Sequence, residues 1–168
     1  MRFPPLINYK DFGTVGAFGA EYSFCYDGNR FIYSFDADED LYLTTSAHEK
    51  VEKKKAKSKY IDNVTVFRST EGNFQKMVRA QCEHASYGKI LYDKYRDVYY
   101  RFVYPPCDTS DYFGDYVELL RSGRKRFSIM ILDNKLNVVG ETFFPAYTYN
   151  PNLSFIPVSY THLTLPTT

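Results

Sequence analysis

The sequence predicts an all-β protein, and more narrowly a fragment of a β-propeller with about two four-stranded antiparallel blades and one short helix near residues 74–84. Three observations predict it. Tyr and Phe number 17 and 14 in 168 residues with no Trp, an enrichment that favours pleated, half-buried strands. Short strand-like runs bounded by Gly, Pro, Asp and Asn recur in two groups, residues 20–59 and 87–144. The run Phe127-Ser128-Ile129-Met130-Ile131-Leu132 is apolar on both faces, as in a strand covered on two sides. A β-sandwich is the competing arrangement, since the two groups differ in length and share no evident repeat.

Residues 1–19, with Pro4-Pro5 and Gly13, Gly16 and Gly19, read as an irregular lead-in. Strands at Ala20–Tyr26 and Arg30–Phe35 flank Asp27-Gly28-Asn29, a strong hairpin cue. The acidic turn Asp36–Asp40 leads to a third strand, Leu41–Thr45. A fourth, charged edge lies within His48–Lys59, where six lysines interleave with Glu49 and Glu52 and oppose edge-to-edge pairing. Residues 60–86 form a connector whose Phe74, Met77, Val78, Gln81 and Cys82 fall at helical spacing after a Gly72-Asn73 start signal. The hairpin Tyr87–Tyr104 follows, with Asp93–Asp97 as its turn and Asp93 placed to accept from the backbone two residues on. One face carries Val98, Tyr100, Phe102 and Tyr104, and the other Tyr99, Arg101 and Val103. Pro105-Pro106 ends the strand, a polar loop runs through Gly114, and strands at Lys125–Leu132 and Val138–Phe144 flank Asp133-Asn134-Lys135. Residues 145–157 begin a further element.

Lys and Arg total 21 against 20 Asp and Glu, a formal net charge of +1, so no long-range field favours nucleic acid or an anionic membrane. Cys25, Cys82 and Cys107 are widely spaced and odd in number, indicating neither a zinc knuckle nor a disulfide framework, with one disulfide left open. No apolar run approaches the ~18 residues that span a bilayer, and the first residues lack the pattern of a secretion signal.

Candidate chemistry is sparse. Asp36, Asp38 and Asp40 alternate like the start of a calcium loop, but Leu41 and Ala47 stand where that loop needs Gly and Glu, so a solvated turn is the better reading. His48 and His84 have no Cys or carboxylate at metal or nucleophilic spacing. Catalytic residues, a metal site and a cofactor are therefore not expected. Arg101 beside Tyr99 and Tyr100 could stack on a sugar or peptide, although aromatics packed inward along an Arg stem are the commoner outcome. The loop Pro105–Tyr116, with Asp108, Asp111, Tyr112 and Asp115, is the best local ligand-binding candidate, because propellers bind ligands where loops converge.

Val158–Thr168 resembles the in-frame translation of a transposase-adapter sequence from DNA library preparation. All eleven residues match. A non-native tail is expected there, with the natural sequence interrupted near Ile156 or Pro157.

Across residues 20–156 the chain resembles a family of uncharacterised lipoproteins of anaerobic gut bacteria, a domain of unknown function with a TolB-like six-bladed propeller fold. The carriers are Tyr-Ser-Phe at 22–24 with Arg30–Phe35, Lys-Ala-Lys-Ser-Lys-Tyr at 55–60, Tyr92-Asp93 with Val98–Phe102, and Ile131–Asp133 with Val138–Glu141. The resemblance implies further blades on both sides, an extracytoplasmic location and a lipid anchor as the link to the membrane. It carries no catalytic residues. The expected function is a non-catalytic binding or scaffold module. The alternatives are a carbohydrate-active propeller hydrolase or lyase and a sugar-binding accessory protein, with a glycan or a protein as partner.

Overall fold

The computed structural model describes residues 22–64, 73–121 and 126–151. The lead-in, the Ala20 strand start, Gly72, Lys125 and the adapter-like tail lie outside the described residues. Within them the chain is mostly β, with two four-stranded antiparallel sheets. The first sheet runs in the order β1 (Tyr22–Tyr26), β2 (Arg30–Phe35), β3 (Asp40–Thr45), β4 (Val51–Lys55). The second follows the same simple order: β5 (Ser86–Asp93), β6 (Val98–Tyr104), β7 (Phe127–Leu132), β8 (Val138–Phe144). Between them come α1 (Phe74–Glu83) and, after β6, α2 (Tyr116–Arg121).

One chemical device closes three of the hairpins: an Asp at the strand end accepts backbone N–H groups two or more residues on. Asp27 Oδ1 accepts from Asn29 N and Arg30 N, each at 2.8 Å, while Gly28 takes φ +98°, open to glycine without a Cβ clash. Asp93 Oδ1 accepts from Tyr95 N at 3.0 Å and Arg96 N at 3.2 Å. Asp133 Oδ1 accepts from Lys135 N and Asn137 N at 2.9 and 2.8 Å. The first hairpin of each sheet repeats more than the Asp. Tyr26-Asp27-Gly28-Asn29-Arg30 and Tyr92-Asp93-Lys94-Tyr95-Arg96 both read Tyr-Asp-x-x-Arg. In each, the Arg side chain pairs with the Asp Oδ2, at 3.0 and 2.8 Å, and the Tyr hydroxyl donates into its own turn. The first hairpins of the two meanders therefore share a local five-residue turn pattern, although the turns differ in length between the strands.

The main core lies between the sheets. Ile32, Leu41 and Leu43 of the first meet Tyr87, Ile90, Tyr99, Val103, Met130 and Leu132 of the second. Phe102, Tyr104 and Phe127 form another buried cluster on the second sheet, with Phe144 packed against it. Residues 99–104 of β6 are accordingly buried on both of its faces except at Tyr100. Polar links reinforce the stack: Ser34 Oγ donates to Gly88 O at 3.0 Å, and Ile90 N donates to Ser23 Oγ at 3.1 Å. Gly88 sits in the bulge of β5, where a Cβ would lie 2.7 Å from Tyr104 Cε2 and 3.4 Å from Phe102 Cβ. Because that ring is held in the buried cluster, Gly88→Ala should lower stability by roughly 1–3 kcal/mol. Urea unfolding checks this, and an unchanged midpoint would show that the ring yields.

Three details differ from the sequence expectation. Phe74 opens α1 exposed, and the helix buries Val78, Gln81 and Cys82 instead. Asn73 does cap it, accepting from Lys76 N at 3.2 Å. A second, six-residue helix occupies Tyr116–Arg121, capped by Asp115 Oδ1 accepting from Val117 N at 2.9 Å. Its Leu119 packs on Val78 and Cys82 of α1. The charged edge strand is shorter than its lysine run. Lys53 pairs with Asp40 at 2.6 Å and Lys55 with Glu39 at 2.9 Å across the β3–β4 ladder.

Candidate functional site

Arg101 is fully buried between the sheets. Its Nε donates to Ser34 Oγ at 2.9 Å, Nη1 to Glu39 O at 2.6 Å and Ala56 O at 3.1 Å, and Nη2 to Asp38 O at 2.7 Å. The guanidinium lies over the Tyr87 ring at 3.8 Å. Burial pulls its pKa down to about 10, opposed by Tyr87 and the carboxylates of Asp38, Asp40 and Glu39, so it stays charged at neutral pH. Its N–H groups bind the β2–β3 turn and the segment after β4. The geometry makes it a tie between the sheets, apart from the loop that was expected to share its site.

A polar chain extends from this tie. Tyr87 OH accepts from Ser58 N at 3.1 Å. Ser58 Oγ and Ser128 Oγ each donate to Glu141 Oε1 at 2.6 Å, and Lys59 N donates to Glu141 Oε2 at 3.0 Å. These bonds fasten the segment after β4 to the second sheet.

The expected loop residues divide between two tasks. Tyr112 stacks near Tyr116 and Tyr147, with centroids 5.4 and 6.1 Å away, and donates its hydroxyl to Asp115 O at 3.0 Å. Together with Asp115 it organises α2. Asp111 is exposed. Asp108 alone borders a shallow, open depression lined also by Arg79, Glu83, Pro106, Cys107 and Arg126. Of the residues singled out in the acidic turn, Asp38 accepts from Asp40 N at 2.9 Å and from Tyr42 OH at 2.6 Å. His48 lies against the Phe31 ring at 5.1 Å, and His84 ends α1, its N–H donating to Ala80 O.

Arg79, Glu83 and Arg126 were not legible as site residues. The i,i+4 spacing of Arg79 and Glu83 on a predicted helix was the available signal; Arg126 offered none. Glu83 Oε1 accepts from Arg79 Nε at 3.0 Å, Thr109 N at 3.1 Å and Thr109 Oγ1 at 2.7 Å. Burial alone would raise its pKa, but the Thr109 and Arg79 hydrogen bonds outweigh that and hold it below the ordinary carboxylate value. Its stabilising contribution is thus present above the unfolded-state pKa and lost as pH falls through the lower folded value. Glu83→Gln should flatten the acid limb of the stability profile, and an identical limb in denaturation from pH 7 to 3 would contradict this.

The other notable surface is the outer face of the first sheet. Tyr22, Phe24 and Tyr26 of β1 stand opposite Phe35, Tyr33 and Phe31 of β2, with ring centroids 5.9, 5.6 and 4.8 Å apart. Although these rings contact each other, Tyr22, Phe24 and Tyr26 remain 61, 53 and 48% exposed. The rings form one contiguous aromatic patch.

Comparison with known proteins gives two findings. A family model described as a domain of unknown function (DUF4221) matches residues 6–143. The chain is also similar to a crystal structure of a member of that family from Bacteroides vulgatus, with 25% identity and a TM-score of 0.68. The match covers 86% of this chain and 39% of that one, so the chain spans well under half the length of that relative. No curated protein matches.

Proposed function

Because this chain belongs to the DUF4221 family, a domain of unknown function, we propose that it is a non-catalytic binding or scaffold segment of a TolB-like β-propeller, held outside the cytoplasm by a lipid anchor in its longer form. The uncovered aromatic face of the first sheet carries this reading. In a propeller each blade buries its faces against neighbouring blades, and a third sheet would seal Tyr22, Phe24 and Tyr26. Two further observations support it: the Tyr-Asp-x-x-Arg repeat in corresponding hairpins, and the greater length of the solved relative. The lipid anchor, the extracytoplasmic location and an origin in gut bacteria rest on the family resemblance. The test is a structure of the product of the intact open reading frame. Tyr22 and Phe24 under a neighbouring four-stranded sheet is the outcome anticipated, whereas a lone two-sheet sandwich with both rings in solvent would overturn it.

A sugar-binding role is the second reading, favoured by the same aromatic ladder, because Tyr and Phe faces stack on the apolar faces of sugars. Glycan-array binding by the intact protein that disappears in Phe24→Ser would support it over the scaffold.

A further inference from the structure

The strand registers allow the two sheets to be compared position by position. With the Tyr-Asp turns as the common point, the pair Tyr26–Phe31 corresponds to Tyr92–Tyr99. On the neighbouring rung Cys25, Ile32, Leu43 and Glu52 lie in register across the first sheet, and Leu91, Tyr100, Ile131 and Gly140 across the second. These rows differ in what covers them. Ile32 and Leu43 are buried in the core between the sheets. Tyr99 and Leu132 share that core, so the adjoining Tyr100 and Ile131 point away from the first sheet. There Leu91, Tyr100 and Ile131 are only partly buried.

The hairpin tips repeat the contrast. Arg30, paired with Asp27, crosses to the second sheet: its Nη2 donates to Asn134 O at 2.6 Å, and Tyr99 OH donates to Asp27 Oδ2 at 2.6 Å. Arg96 pairs with Asp93 in the same manner, yet its side chain is 68% exposed against 29% for Arg30.

We infer that the outward face of the second sheet, with Leu91, Tyr100 and Ile131 at its centre and Arg96 at its rim, docks a further four-stranded sheet that follows β8 in the longer protein. Arg96 would donate to a backbone carbonyl in the last hairpin of that sheet, as Arg30 does to Asn134 O. The chain order gives the direction. The first sheet covers the inward face of the sheet that follows it, and the same step taken once more places the next sheet on the outward face. Covering the half-buried row removes apolar surface from water. The inference rests on the reading of this chain as part of a stack of such sheets, which the solved relative is long enough to contain, since the match covers 39% of it.

The test introduces p-benzoylphenylalanine in place of Tyr100 in the product of the intact open reading frame, one aromatic ring for another, and irradiates it. Cross-links should fall within one molecule, on sequence that follows β8. A parallel variant with the same group in place of Phe24 reports on the propeller reading itself. The unaltered protein is also treated with p-hydroxyphenylglyoxal, and Arg96 should escape in the native state the modification it undergoes in urea. Cross-links from position 100 to a second copy, only to sequence before β1, or to nothing overturn the inference, as does equal modification of Arg96 in native and unfolded protein. Intramolecular cross-links to another sheet from position 24 but not from position 100 retain the propeller reading and refute this docking face. The opposite pattern retains the docking face and removes the sheet expected over Phe24.

Discussion

Replacing Arg101 with Met should lower the unfolding free energy by roughly 3–5 kcal/mol, the largest effect of any single substitution considered. The depressed pKa of the guanidinium shows that burial disfavours its charge, so charge alone does not supply its stabilising role. Its hydrogen bonds do. Met retains much of the volume but leaves the carbonyls of Asp38, Glu39 and Ala56 without the donors that Arg101 supplies. It also removes the contact with the Tyr87 ring. Arg101→Lys should fall between, at roughly 2–3 kcal/mol, since an ammonium keeps the charge but cannot span Ser34, Ala56 and the 38–39 turn in one plane. Urea unfolding of the intact protein measures both. A Met variant within about 1 kcal/mol of the parent would mean that the carbonyls find other donors.

The second large effect concerns the outer face of the first sheet. Completing the burial of Tyr22, Phe24 and Tyr26 would contribute roughly 2–3 kcal/mol each at ordinary area coefficients. Residues 1–157 alone should accordingly self-associate and show no cooperative monomeric transition. Phe24→Lys with Tyr26→Lys should reduce that association while destabilising the intact protein. Sedimentation with thermal unfolding decides: a monomeric mass and a cooperative melt for residues 1–157 would count against a neighbouring sheet.

The strands were legible because their causes are local. Asp-Gly at 27–28, the Asp93 turn and Asp133-Asn134 each bend the chain by hydrogen bonds within five residues, and the aromatic runs between them need only alternate. The bounds of β2 and β8 could therefore be read in advance from residues 30–35 and 138–144. Helix α2 was not legible. Six residues give too short a period to recognise, and its stability comes from Leu119 meeting Val78 and Cys82 some forty residues earlier. Of the residues singled out in the loop 105–116, Asp108 borders the depression beside α1. The other charged residues beside it, Arg79 on a helix and Arg126 before a strand, are connected by no sequence spacing.

By itself, then, the sequence determined an all-β chain of two four-stranded meanders, through turn chemistry and alternation that act over a few residues. Only the tertiary structure decided that Arg101 ties the sheets together instead of facing a ligand. Either face of β6 carried enough apolar residues to be the inner one. Which face lies inward depends on what packs against it, and the hydrogen-bond acceptors of Arg101 come from Ser34, Asp38, Glu39 and Ala56, all more than forty residues away in the chain.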